Sequence, residues 1–101
     1  MAKLIALYRP PADPQAFDQA YFQTHLPLLQ SVPGLRQTVI HRFTRTVVGD
    51  GFYLMAEMTF NDLDSLKAGM RSEAMAAAGK NLEGFASGLM TLQYAEEVTV
   101  P

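Results

Sequence analysis

The chain has 101 residues, 49% of them hydrophobic, and a formal net charge of −2, which fits one folded domain and gives no support to binding nucleic acid or a membrane surface through net charge. It contains no cysteine, which excludes disulfides, thiolate-held iron–sulfur clusters and cysteine nucleophiles. The amino-terminal apolar run is shorter than the roughly 7–15 residues of a secretory signal or the about 20 of a membrane span, so a cytoplasmic location is expected.

Residues 3–9 are short and apolar and end at Pro10-Pro11, which predicts a first strand. Asp13 precedes Pro14, the order of an N-cap followed by proline at the first helical position. In the helix that follows, Phe17, Tyr21 and Thr24 share one face, and Phe22, Leu26 and Leu29 a neighbouring one. The apolar stripe is wide, as expected for a helix laid on a sheet. Pro27 lacks an N–H and would clash with the carbonyl of Gln23, so the helix should kink or stop near His25. A short second turn, residues 28–31, then runs to the Pro33-Gly34 turn.

Residues 35–44 predict a second strand and residues 52–60 a third, joined through a hairpin connection at residues 47–51. On the third strand Phe52, Leu54, Ala56, Met58 and Phe60 fall on one face. Asn61 is placed to cap the next helix, whose buried side is marked by Leu63, Leu66 and Met70. A further helix is expected over residues 73–85, with Met75, Ala78, Leu82 and Phe85 in register, and a fourth strand over residues 89–100.

The order β-α-β-β-α-β, with the second α segment split, predicts an α+β fold: a ferredoxin-like antiparallel sheet with helices on one face. The first strand carries Leu4, Ala6 and Tyr8 on one side and Ile5 and Leu7 on the other. One helical layer covers one face only, so the opposite face calls for a partner, and a homodimer with facing sheets would supply it.

The segments Tyr21…Thr24-His25-Leu26-Pro27-Leu28, Pro33-Gly34-Leu35, Phe60-Asn61-Asp62-Leu63 and Asn81-Leu82-Glu83-Gly84-Phe85 together resemble the EthD family. The resemblance spans nearly the whole chain and implies a dimeric α+β barrel. EthD is named for a gene cluster of ethyl tert-butyl ether degradation, and similar barrels include small isomerases, cyclases and monooxygenases that need no bound metal, as well as haem enzymes. The resemblance therefore speaks to the fold more than to the reaction. Where this chain has Asn81, family members often carry Asp, so a carboxylate acid or base at that position is lacking here.

His25 is the leading candidate for chemistry. At a helix C-terminus the dipole would favour its imidazolium while burial would oppose it, and the competition would set its titration near neutrality. The alternative is that His25 caps a carbonyl freed by Pro27. Tyr8 could donate a phenolic hydrogen bond into a pocket, as could Tyr53 and Tyr94, or each could simply pack by its ring. Glu57 is either a buried acid or base on the inner face or one half of a structural ion pair. His41 lacks metal-motif spacing to His25, and Arg36, Arg42 and Arg45 either hold an anionic substrate or protect a strand edge. The methionines read as core filling.

The expected site is thus His25 and Tyr8 as catalytic residues, with Tyr21, Leu28, Glu57, Asn81 and Phe85 contacting substrate. No metal and no other cofactor is expected. The expected activity is proton transfer on a small, mostly apolar organic molecule, of the isomerase or cyclase type. A non-catalytic dimeric binder and a haem-binding barrel are the rival readings.

Overall fold

The computed structural model describes residues 1–101. Strands β1 (Ala2–Tyr8), β2 (Leu35–Arg42), β3 (Leu54–Phe60) and β4 (Met90–Glu96) form one sheet in the order β2-β3-β1-β4. All three pairings are antiparallel. Helices α1 (Pro14–Ala20), α2 (Leu26–Leu29), α3 (Leu63–Met70) and α4 (Glu73–Glu83) complete the ferredoxin-like α+β fold expected from the element order.

Alternation on the central strands decides where the core lies. Leu4, Ala6 and Tyr8 of β1 and Leu54, Ala56, Met58 and Phe60 of β3 are buried against the helices with Phe17, Tyr21, Leu29 and Leu66. The other face carries Lys3, Ile5 and Leu7, opposite Thr59, Glu57 and Met55. It is mixed rather than apolar throughout. Met90, Leu92 and Tyr94 pair with Tyr8, Ala6 and Leu4 and so belong to the helix side. There Leu92 and Tyr94 remain 38% and 50% exposed at the sheet edge.

Several boundaries differ from expectation. The third strand begins at Leu54, and Phe52 lies outside it and is exposed. The fourth ends at Glu96, leaving Val98 and Val100 in an exposed tail. The cap of α3 is Asp62, not Asn61: its carboxylate accepts from the Ser65 N–H at 2.7 Å. Leu63, expected on the buried side of α3, is 47% exposed. Leu63 is the first helical residue of α3, directly after the cap. On β2 an irregularity between Leu35 and Gln37 takes Arg36 out of register.

The chain does not break at Pro27. Residues Tyr21–His25 form a π-helical turn between α1 and α2, and the Leu26 N–H donates to the Tyr21 carbonyl five residues back. His25 and Leu26 keep right-handed helical dihedrals, φ −68° and −59°. The wider turn inserts one residue, and Pro27 falls in the first turn of α2, where its missing N–H is not required. The expected stop is therefore a π bulge. Further along, Gly34 takes φ +82° in the Pro33-Gly34 turn, a conformation that suits glycine.

Candidate functional site

Between the sheet, the π turn and α4 lies a cavity of about 250 Å³. Interiors of small domains are normally packed without voids much larger than a water molecule, and here the composition of the walls explains the space. The sheet contributes Ala6 and Ala56 and α4 contributes Ala76, Ala78 and Gly79, so small residues face one another where bulky ones would fill the core. Met58, Met70, Met75 and Met90 close the sides. The lining is 14 of 16 residues hydrophobic. Ala76, Gly79 and Leu92 are exposed and mark where the cavity meets solvent.

The polar part of the wall comes from the π turn and β1. Tyr21 and His25 stand on successive turns of one helix face, with ring centroids 5.2 Å apart. Tyr21 stacks on Phe17 at 5.6 Å and meets the edge of Tyr8 at 5.3 Å. Four residues apart, Tyr21 and His25 fall on the same side of the helical run. Both are almost wholly buried, at 0% and 3% exposure.

These groups are short of partners. Nδ1 of His25 and Oδ1 of Asn81 are buried without a well-formed hydrogen bond, and the buried Tyr21 hydroxyl has only the Tyr8 hydroxyl beside it. Asn81, on α4, stands beside the His25 ring together with the carbonyl of Ala78. Both neighbours favour a proton on the ring. Desolvation outweighs them and lowers the His25 pKa below its ordinary 6.5, so the ring is neutral at pH 7. Burial pushes the Tyr8 hydroxyl up to about 12 and raises Tyr21 as well, so both phenols keep their protons. The wall thus holds donors and acceptors but no formal charge.

Two readings of His25 change accordingly. It sits inside a continuous helical run, not at a C-terminus, so no dipole end acts on it. It makes no capping hydrogen bond either. Its environment is set by burial and by α4.

Of the residues expected at the site, Tyr8, Tyr21 and His25 come together on the cavity wall. Asn81 does not line the cavity and stands behind His25. Phe85 also lies behind it, its ring 6.3 Å from the imidazole and 5.4 Å from Phe17. Leu28 packs on the core away from the cavity. Glu57 is on the opposite face of the sheet. It accepts from Lys3 at 3.0 Å and lies 3.6 Å from His41, which is the structural alternative for this carboxylate. The Lys3 contact is the main cause of its lowered pKa. Strand parity explains the separation, since Glu57 is one residue out of phase with Ala56 and Met58.

His41 is 44% exposed on that open face. Arg42 donates to Asp18 at 3.0 Å and to the Tyr53 hydroxyl at 3.2 Å, and Tyr53 donates to Asp18 at 2.6 Å. This cluster ties α1 to the β2–β3 hairpin. Among the methionines, Met58, Met70, Met75 and Met90 line the cavity, where sequence reading treated them as core filling. The signal that could have found them was the run of small residues in α4 opposite Ala6 and Ala56. No three potential metal-ligating side chains among His, Cys, Asp and Glu cluster anywhere in the chain.

The EthD domain model matches residues 9–88. The chain belongs to the EthD family. A solved EthD family protein from Bacillus halodurans C-125 is 46% identical, covers 97% of this chain and 99% of its own, and superposes with a TM-score of 0.91. More distant solved structures show the same fold. A dimeric ferredoxin-like protein of unknown function from Bacteroides fragilis is 17% identical, with 95% of each chain covered and a TM-score of 0.67. SnoaB, a cofactor-independent oxygenase from Streptomyces nogalater, is 11% identical, covering 98% of this chain and 94% of its own with a TM-score of 0.69. This EthD protein thus shares its architecture with both of these proteins.

Proposed function

We propose that this EthD protein acts on a small, mostly apolar organic molecule bound in the cavity beside His25, with His25 as the proton carrier. The observation that carries the reading is a buried set of polar groups short of partners, the His25 ring and the neighbouring hydroxyls of Tyr8 and Tyr21, on the wall of an otherwise apolar cavity. Leaving such groups unpaired costs the fold about 1–3 kcal/mol each, a cost that a bound ligand would remove. A neutral imidazole accepts a proton directly, and Tyr8 and Tyr21, still protonated, are donors for an oxygen that gains charge as a C–H proton leaves. Such a step of the isomerase or cyclase type needs no cofactor. The shared architecture with a cofactor-independent oxygenase supports a cofactor-free reading.

The working unit in this reading is a homodimer. No helix covers the face bearing Ile5, Leu7, Val39 and Met55, and these side chains are half-buried. Lys3 and Glu57 on the same face are already paired at 3.0 Å, so they would enter an interface neutralised. A dimeric neighbour of the same fold supports the assembly. Sedimentation at micromolar concentration should give a dimer, and a well-folded monomer that persists at all concentrations would contradict it.

Catalysis is tested by hydrogen–deuterium exchange of small neutral ketones in D₂O. Wild type should accelerate exchange at the carbon next to the carbonyl, and His25→Gln should lose about 10²–10⁴-fold of that rate while keeping its melting temperature. Ketones that bind without accelerated exchange would leave a binding protein in place of an enzyme.

A further inference from the structure

We infer that the ligand of this cavity is a neutral molecule carrying a hydroxyl group, an alcohol, phenol or enol, rather than a hydrocarbon, an ether or a carboxylate. The inference rests on the small-molecule reading of the cavity and narrows it to a chemical class.

The chain of reasoning begins behind the wall. Asn81 Oδ1 is buried without a partner, and an amide oxygen only accepts hydrogen bonds. The carbonyl of Ala78, the other polar group of α4 beside the ring, also only accepts. Both therefore call for an N–H from His25. Nδ1 is the fully enclosed ring nitrogen, and the N–H is assigned to it. A neutral ring has one N–H, and with that proton on Nδ1 the other nitrogen, Nε2, keeps a lone pair. Asn81 is thus a positioning residue that selects the tautomer. A ligand satisfying Nε2 must bring a donor.

The second contact has the opposite sense. The Tyr8 and Tyr21 hydroxyls are neighbours with Tyr21 on the donating side, and two phenols joined by one mutual hydrogen bond leave one O–H in want of an acceptor. Tyr8 is a phenol that keeps its proton. One hydroxyl oxygen meets both demands, donating to His25 and accepting from tyrosine. An ether oxygen accepts only, a ketone meets both demands only as its enol, and a hydrocarbon does neither. A carboxylate would bring a charge into a cavity that has no cationic side chain on its wall. The volume of about 250 Å³ limits the guest to a compact molecule.

The test uses four probes of similar size: phenol, anisole, toluene and benzoate, titrated into the full-length protein at pH 7.5 and followed by calorimetry or ligand-observed NMR. Phenol should bind about tenfold or more tightly than anisole and toluene, because each unpaired buried group is worth roughly that factor, and benzoate should bind least. Equal binding of phenol, anisole and toluene would overturn the hydroxyl inference while leaving the cavity as a ligand site. Binding of none of the four would overturn the cavity reading, and the inference with it. The tautomer is read separately by ¹⁵N NMR of the histidine rings in the ligand-free protein. A proton on Nδ1 of His25 is expected, and a proton on Nε2 overturns the assignment of Asn81. Asn81→Asp should raise the His25 pKa by adding a negative charge beside the ring and should make phenol binding pH-dependent across that pKa. A variant whose His25 titrates as in wild type would show that position 81 does not act on the ring.

Discussion

Replacing Tyr21 with Phe should stabilise the protein, against the usual direction for truncation at a buried aromatic site. Tyr21 is 0% exposed, and its ring is held by stacking on Phe17 at 5.6 Å and by edge contacts with Tyr8 at 5.3 Å. Phenylalanine keeps that ring and both contacts. What it removes is the hydroxyl, which is buried without a well-formed hydrogen bond. Burying an unpaired hydroxyl costs about 1–3 kcal/mol by mutational measures. Taking the low end, Tyr21→Phe should gain about 1 kcal/mol, or about 4–8 °C in melting temperature for a domain of this size. The assay is thermal or urea unfolding of both proteins at equal concentration, because an associating protein melts in a concentration-dependent way. A loss of about 1 kcal/mol or more would refute the reasoning, since it would mean that the hydroxyl is satisfied in the folded state. Tyr8 is the one neighbour placed to satisfy it, and a double-mutant cycle with Tyr8→Phe would then show coupling between the two. The same substitution should weaken binding of a hydroxyl-bearing ligand, so that stability is gained where function is lost.

Other predictions follow from the capping, packing and titration described above. Asp62→Ala should cost about 1 kcal/mol by removing the cap of α3, whereas Asn61→Ala should leave unfolding by urea within about 0.5 kcal/mol of wild type. Gly69→Ala should destabilise by about 1–3 kcal/mol, because an added Cβ would stand 2.9 Å from Phe60 and 3.2 Å from the Pro33 carbonyl; denaturation of the purified variant measures it. Stability should fall as the pH drops below about 6.5, because the folded pKa of His25 is depressed below that unfolded value. The unfolded chain then binds the proton first, and the loss continues until the folded pKa is reached. Melting curves between pH 8 and pH 5 should show this decline, and His25→Gln should flatten it.

The fold was legible because its signals are local and agree with one another. Alternation in β1 and β3, the Asp13-Pro14 start of α1 and the glycine turns all point to one topology. Pro27 was read correctly as incompatible with a regular α-helix. The response of the chain, however, depends on packing: the aromatic contacts of Tyr21 and His25 hold a π turn where an isolated helix would stop. Capping by Asp62 instead of Asn61 is a choice between adjacent good caps that composition does not decide.

Tyr8, Tyr21 and His25, singled out from residue type and resemblance, stand together on the cavity wall. Glu57 lies on the other face of the sheet, because the side facing the helices follows from the whole core, not from one strand. Asn81 and Phe85 stand beside His25 but do not line the cavity. The cavity itself was hidden, because it arises from missing volume. Ala6, Ala56, Ala78 and Gly79 each look ordinary in sequence and make a void only when the fold sets them face to face.

The central claim is that the cavity beside His25 takes a small molecule, and the methionines provide a direct readout. Met58, Met70, Met75 and Met90 line the cavity, while Met1 and Met55 do not. Met55 lies on the open face of the sheet, opposite Leu7. With ¹³C-methyl methionine, titration with phenol should shift the four cavity methyls in a saturable way and leave Met1 and Met55 unmoved. Saturable shifts confined to Met55, or no shift at any of the four cavity methyls with phenol or a panel of small neutral alcohols, would contradict it.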